Sequence, residues 1–466
     1  MYYLILLIVY SVLQIALGIW IGRKVTTARD FFVAGRTLGP GLLFSTMLAA
    51  NIGAGSTVGA THLGYRDGLS AVWWVLSAAI GSTILALWIG PAIRRAAAEC
   101  DLRTVGDFLE FRFGVQVRVA IAALLWVGAI FILAGQLIAI ATILNVIVGL
   151  PPAVGCTLGG LLITIYFTAG GLMTSAWVNV VQLTVKIVGF AIALPLALSA
   201  VGGWSALRGL QPSPDYWNFW SGGQSGLVYL AVLGPAFIVS PGLLQKIYGA
   251  RDDRTVRIGV GLNAVGLAAY AMVPVVLGMI ARLRFPDIDS QLALPMVLMH
   301  GVPAVAGGIG LAAVFSAEVS SADAVLFMLT TSLSQDFYKR FVNRAATDVE
   351  MLRITRITAV IAGALGVVVA LMAASVITAL SIFYTLMGVG LFMPILGGLY
   401  VRRAQTRDAM AAIIAGIGTV AIMQFGYAGA RLWGLTPAMA GLAAGTLVFF
   451  VSTLAGAKRN PGRIQE

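Results

Sequence analysis

Long apolar runs separated by short polar, arginine-bearing loops fill the 466 residues of this chain. A helix needs about 20 apolar residues to cross the hydrocarbon core of a bilayer. The pattern predicts thirteen spans, at 2–22, 40–64, 70–92, 117–147, 152–170, 175–200, 225–245, 257–280, 303–333, 354–374, 376–399, 408–428 and 433–455. The second span is irregular. Its centre reads Leu48-Ala-Ala-Asn-Ile-Gly-Ala-Gly-Ser-Thr57, which crowds Asn51, Gly53, Gly55, Ser56 and Thr57 near the midplane. Glycine disfavours helix, and backbone carbonyls freed in hydrocarbon must find partners. This helix is expected to break where it lines a cavity; close packing through small residues is the alternative.

The seventh span carries Gly234-Pro235 and Ser240-Pro241. Proline removes a helix hydrogen bond, so this is a second broken helix. An offset of five spans makes the two broken helices run in opposite directions. The expected fold is therefore an all-α integral membrane protein with a five-plus-five inverted repeat. Helices 2–6, residues 40–200, would match helices 7–11, residues 225–399. Residues 1–39 add a helix and a loop, and residues 400–466 add two helices and a tail, within one transmembrane domain. Paired interruptions in two halves point to a transporter's binding site. Asn51, Gly53, Gly55 and Ser56 on one side, with Pro235, Phe237 and Ser240 on the other, are candidates for solute contact and gating.

Composition supports the membrane reading: 59% of residues are hydrophobic, 10% are charged, and the mean hydropathy is +0.95. The net charge of +12 is a matter of topology rather than nucleic-acid binding. With the N-terminus outside, 24 Lys and Arg residues fall in the cytoplasmic loops and tail, among them Lys246, and 5 fall outside. That places the protein in the plasma (inner) membrane with a cytoplasmic C-terminus. The apolar stretch Met1 to Trp20 lacks a basic leader and a cleavage site and is read as a retained helix. The segment 93–116 spaces Val105, Phe108, Leu109 and Phe113 on one face, as a helix on the membrane surface would. Trp204, Tyr216, Trp217 and Trp220 in the outer loop suit an interfacial belt more readily than a lid. Cys100 and Cys156 lie apart and show no metal spacing.

Three charges lie inside spans: Lys186, Glu318 and Asp323. Intramembrane charges are costly and point to function. Ala317, Ser320 and Ser321 share one face of the ninth span, offering a carbonyl and two hydroxyls. Hard oxygens suit Na⁺ as they suit other hard cations. The alternative is that each serine bonds back to its own helix.

The combination of motifs resembles the sodium/solute symporter family over nearly the whole chain. Its pieces are Asp30-Phe-Phe-Val-Ala-Gly-Arg36, Ala49-Ala-Asn-Ile52, Arg103-Thr-Val-Gly-Asp-Phe-Leu-Glu-Phe-Arg-Phe113, Tyr166-Phe-Thr-Ala-Gly-Gly-Leu172, Gln245-Lys246 and Ser316-Ala-Glu-Val-Ser-Ser-Ala-Asp323. The resemblance implies the leucine-transporter type of fold. It also implies a sodium site built from the carbonyls of Ala49, Ile52 and Ala317 and the hydroxyls of Ser320 and Ser321. Asn179 stands where some relatives carry an aspartate that supports a second sodium. Gly55-Ser56 and Leu233 to Phe237 replace the sugar contacts of sugar-transporting relatives, which disfavours a sugar.

The function expected is secondary active transport by alternating access, with Na⁺-coupled symport of a small organic solute such as an amino acid or a carboxylate. The partners are then Na⁺, the solute and the bilayer, with no organic cofactor and no nucleic acid. The alternatives are a proton-coupled symporter that uses Lys186 in place of or beside the sodium site, and a transporter-like membrane sensor. No nucleophile–base or metal cluster accompanies His62 and His300, so an enzyme is not expected. Lys186, Glu318, Asp323 and Asn179 are the coupling candidates. Lys186 itself has three open roles: neutralising an acid, attracting a substrate carboxylate, or standing in for sodium.

Overall fold

A computed structural model of the chain describes residues 2–22, 34–168, 172–222, 226–432 and 434–459. Arg23, Lys24, Arg29, Asp30 to Val33, Ala169 to Gly171 and Arg463, all used above for topology or motifs, lie outside the described residues.

The described elements are helices. In chain order they are α1 (Tyr2–Gly22), α2 (Pro40–Asn51), α3 (Ala60–Asp67), α4 (Val72–Ile84), α5 (Gly90–Glu99), α6 (Val105–Phe113) and α7 (Val115–Val148). Next come α8 (Pro152–Thr168), α9 (Leu172–Ala200), α10 (Gly203–Arg208), α11 (Gly226–Ile238), α12 (Pro241–Tyr248), α13 (Asp253–Tyr270) and α14 (Met272–Arg284). The remainder are α15 (Ala293–Met296), α16 (Ala304–Thr331), α17 (Asp348–Met372), α18 (Val376–Tyr400), α19 (Thr406–Ala421) and α20 (Pro437–Arg459). Among the described residues, 11 stretches are long and apolar enough to cross a membrane. That is fewer than thirteen for two reasons. The second predicted span is divided, with α2 ending after 12 residues. The apolar part of α8, Pro152–Ile165, is short for a span.

Helix neighbours repeat in an inverted-repeat-like manner. α2 packs on α13 as α11 packs on α4, and α2 meets α9 as α11 meets α18. Likewise α7 packs on α18 as α9 packs on α16. Each pair maps onto the other when the two broken helices exchange places. Small residues permit the close crossings. A Cβ on Gly64 of α3 would lie 2.5 Å from the Val275 carbonyl, and one on Gly278 of α14 would lie 2.2 Å from the Thr61 carbonyl.

Three expectations change. The apolar face of α6, with Val105, Phe108, Leu109 and Phe113, is buried against protein rather than laid on a membrane surface. Its polar side is tied down by Arg118, which pairs with Asp107 at 2.9 Å, Glu110 at 2.5 Å and Asp336 at 2.6 Å. Tyr216 is fully buried rather than part of a belt; its hydroxyl donates to the Gly64 and Tyr65 carbonyls, and Trp220 stacks on Trp73 at 4.6 Å. Part of that loop is thus a cover over α3, because a buried phenol needs acceptors and these carbonyls sit beneath it. Lys246, counted above with the loop charges, is buried on α12 and donates to the Thr46 carbonyl at 2.7 Å.

The glycine crossing gives a stability test. Gly278→Val drives a branched side chain into the α3 backbone, and overpacking of this kind costs about 1–3 kcal/mol. Thermal unfolding in detergent should show the loss, while Gly261→Val, where nothing lies within 4 Å of the added Cβ, should be much milder.

Candidate functional site

The break between α2 and α3 frees backbone groups that a continuous helix would pair internally. Ile52 leaves the helical region at φ −88° and ψ 87°. Each freed group then finds a specific partner. Ser56 Oγ accepts from Gly53 N at 3.0 Å and lies 2.9 Å from the Asn51 carbonyl, to which it donates. Gln136 Oε1 on α7 accepts from Ala54 N at 2.9 Å. Ser320 Oγ on α16 donates to the Ala49 carbonyl at 2.8 Å, and Ser321 Oγ donates to the Ala50 carbonyl at 2.7 Å. The serine pair therefore bonds across to α2, although Ser320 Oγ also lies 3.1 Å from the Ala317 carbonyl of its own helix.

The remaining partner is Lys186. From α9 its ammonium donates to the Ala49 carbonyl at 2.5 Å, the Ile52 carbonyl at 3.0 Å and Ser320 Oγ at 2.6 Å. The side chain is 1% exposed. It makes no ion pair with either candidate acid. Glu318 Oε1 accepts from Thr57 Oγ1 at 2.7 Å, and Asp323 Oδ2 accepts from Ser175 Oγ at 2.6 Å. Asn179 donates to Thr46 Oγ1 at 2.9 Å and Ser175 Oγ at 3.2 Å, linking α9 to α2 below the break. Lys186 thus meets Ala49, Ile52 and Ser320 from the expected sodium set. Ala317 reaches that cluster through Ser320, and Ser321 turns to Ala50 instead.

The second break separates α11 from α12 at Val239 and Ser240, just before Pro241. Pro235 lies inside α11 one turn earlier. Between the two breaks is a cavity of about 780 Å³, counting space open to solvent. Asn51, Gly53, Gly55, Ser56, Phe237 and Ser240 all border it, while Pro235 does not. The Asn51 amide is engaged by Asn263 on α13 at 3.0 Å. Trp74 and Tyr384 complete an aromatic wall: Tyr384 lies 5.5 Å from Phe237 and 6.0 Å from Trp74, centroid to centroid. Sequence reading missed Thr57, Trp74, Gln136, Lys246 and Tyr384. Thr57 sat within the irregular stretch and Lys246 was read as a loop charge after the second broken span, while Trp74, Gln136 and Tyr384 occupy ordinary-looking helices.

A model of the sodium:solute symporter family matches residues 31–416. The chain belongs to this family. The relatives and the solved structure that it resembles are transporters rather than enzymes. The high-affinity proline transporter PutP of Bacillus subtilis is 24% identical, with 95% of this chain and 96% of the relative covered. The sodium/pantothenate symporter of Escherichia coli is 26% identical over 88% of both chains. The human sodium/iodide cotransporter is 25% identical, but the chain spans only 53% of its length. In fold, the chain matches a solved Na⁺-coupled sialic acid symporter in an outward-open state, with a TM-score of 0.83, 18% identity and 98% of each chain covered.

In this family member the break is packed tightly against α16. A Cβ on Gly53 would lie 2.1 Å from Ser321 Oγ and 2.5 Å from Ser321 Cβ. Gly53→Ala should therefore push α2 from α16 and lower thermal stability. Ser321→Gly removes both clashing atoms, so the double variant should regain a substantial part of the loss. Equal stabilities for Gly53→Ala with and without Ser321→Gly would show that the two helices do not meet there.

Proposed function

We propose that the chain is a secondary active symporter that couples Na⁺ to a small organic solute, an amino acid, a carboxylate or a similar compound, by alternating access. The observation that carries this reading is the gathering of the Ala49, Ile52 and Ala317 carbonyls and the Ser320 hydroxyl at a helix break, beside a cavity between two broken helices. Hard oxygens of this kind suit a small cation, and unwound backbone at the midplane is where transporters hold one. The donor set fits Na⁺ in chemistry, while the Lys186 ammonium lies among three of the same oxygens. Ser321, the next residue of α16, belongs to the proposed set, with its hydroxyl on the Ala50 carbonyl of α2.

In this reading thirteen spans are arranged as a five-plus-five inverted repeat, 40–200 against 225–399, in the plasma (inner) membrane. The N-terminus lies outside and the C-terminus in the cytoplasm, as the arginine distribution supports. The solute binds in the cavity against Trp74, Phe237 and Tyr384. Gly53 and Gly55 border the cavity on the α2–α3 side, and Pro235 and Ser240 serve the opposite gate. Cation binding biases the two states only through its different affinity for each.

A second reading keeps the transporter and changes the ion: proton-coupled symport with Lys186 in place of or beside the sodium site. What favours it is the position of the ammonium on the Ala49 and Ile52 carbonyls. Uptake into proteoliposomes from a panel of amino acids, monocarboxylates, nucleobases and vitamins separates the two, with either a Na⁺ or a pH gradient imposed. Na⁺-driven uptake is expected, and uptake driven by the pH gradient alone would select the second reading.

Within the main reading the two serines should differ. Ser320→Ala removes a hydroxyl from the oxygen cluster and should weaken Na⁺ activation of uptake by about 1–3 kcal/mol, roughly five-fold to a hundred-fold or more. Ser321→Ala should have the smaller effect on Na⁺ activation, since its hydroxyl is spent on Ala50. Unchanged Na⁺ dependence in Ser320→Ala would remove the cation from this cluster.

A further inference from the structure

We infer that Lys186 is a tethered cation held in the coupling pocket, so that its ammonium and a free Na⁺ exclude one another from the same oxygens. The inference rests on reading the cluster as the transporter's cation site.

Three features carry it. First, the ammonium has three N–H donors and meets three acceptors, two carbonyls at the C-terminal end of α2 and one hydroxyl on α16. Two of the bonds, to Ala49 and Ser320, are short, as expected where the donor is charged. Second, no carboxylate lies within ion-pair distance of Lys186 among the described residues. The charged groups packed around it are otherwise occupied: Glu318 of α16 is held by Thr57, Lys246 of α12 by the Thr46 carbonyl, and Asp323 of α16 by Ser175. The ammonium is therefore compensated by the oxygens that would serve an ion, and by little else. A lysine that merely balanced an acid would turn toward one. Third, the site is sealed, with Lys186 1% exposed and Ala49 and Ser320 fully buried. Two unit positive charges on the same three oxygens would repel strongly where water does not screen them.

The consequence concerns how the bundle is held. A free ion in this pocket would tie α2 to α16. Here α9 supplies that tie from its own side chain, and α9 already packs on both α2 and α16. Na⁺ enters only as the ammonium withdraws, and removing the ammonium leaves the oxygens free for the ion.

The test measures Na⁺ binding to the purified full-length protein by calorimetry and by Na⁺-dependent thermal stabilisation, with choline chloride as the ionic-strength control. Lys186→Met keeps length without charge, and Lys186→Gln is a smaller neutral replacement. Both should bind Na⁺ at least about ten-fold more tightly than the parent, one decade in Kd. Adding Ser320→Ala to Lys186→Met should abolish the gain, which locates the new ion at the break. Na⁺ affinity that is equal or weaker in both Lys186 variants overturns the inference. So does a gain that survives Ser320→Ala, because the ion then lies elsewhere. If neither variant folds, the parent decides: saturation below about 1 mM Na⁺ means that the ammonium does not obstruct the pocket, and no saturation by that point supports exclusion. Na⁺-driven uptake with unaltered affinity in Lys186→Met would sink the inference and leave the proposed function standing. Failure of any cation gradient to drive uptake of any solute would sink the proposed function, while the affinity gain would still decide the role of Lys186.

Discussion

A helix that breaks inside an apolar bundle must have every freed backbone group satisfied by protein. Hydrocarbon offers no substitute for water, and an unpaired buried amide or carbonyl costs more than most single contacts return. Much else at the centre of this molecule answers that constraint at Ile52. The amides of Gly53 and Ala54 are met by Ser56 and Gln136, and the carbonyls of Ala49, Ala50 and Ile52 by Ser320, Ser321 and Lys186. These partners come from α7, α9 and α16 as well as from the broken segment itself. The break is thus also the place where the bundle is joined.

The same constraint explains why small residues cluster there. Backbone must approach backbone closely enough for a serine hydroxyl to span the gap. Gly53 allows this against Ser321, and Gly55 allows Leu380 and Trp74 to close on the segment from the other side. The cavity beside it is then bordered by backbone and short side chains on the α2–α3 side and by aromatic rings from α4, α11 and α18. A site of this kind fixes a solute through shape and a few polar contacts.

How much of this the sequence disclosed depended on range. The two breaks were legible because glycine, serine and proline act locally on backbone, so Asn51 to Thr57 and Ser240-Pro241 announce themselves without knowledge of their neighbours. The shared face of Ala317 and Ser320 was legible because helical spacing is local too. Lys186 stood out as a charge in an apolar run, yet its destination did not, since a four-carbon side chain reaches any of several helices and only packing selects one. Gln136 and Trp74 gave no signal, because a lone amide or indole in a span is unremarkable until a neighbour needs it. Lys246 was misplaced for a related reason: near a helix end, positive charge reads as loop, whereas α12 carries it inward. Tyr216 looked like an interfacial aromatic until the loop was seen to fold over α3.

The pattern of buried charge has a mechanical meaning. Lys186, Lys246, Glu318 and Asp323 cancel as formal charges and lie close enough to one another to matter electrostatically. Yet the partners of each are neutral oxygens and hydroxyls rather than an opposite charge. A direct ion pair across α2 and α16 would hold them by full Coulomb attraction in a poorly screened interior, and separating them would leave two bare charges. Hydrogen bonds from one charged group to neutral carbonyls are strong, but each is worth only about 1.5–3 kcal/mol. They can be exchanged one at a time as a cavity opens on either side. The centre of this bundle is joined by the second kind of contact, which yields stepwise where an ion pair would not, and alternating access as proposed above would call for that.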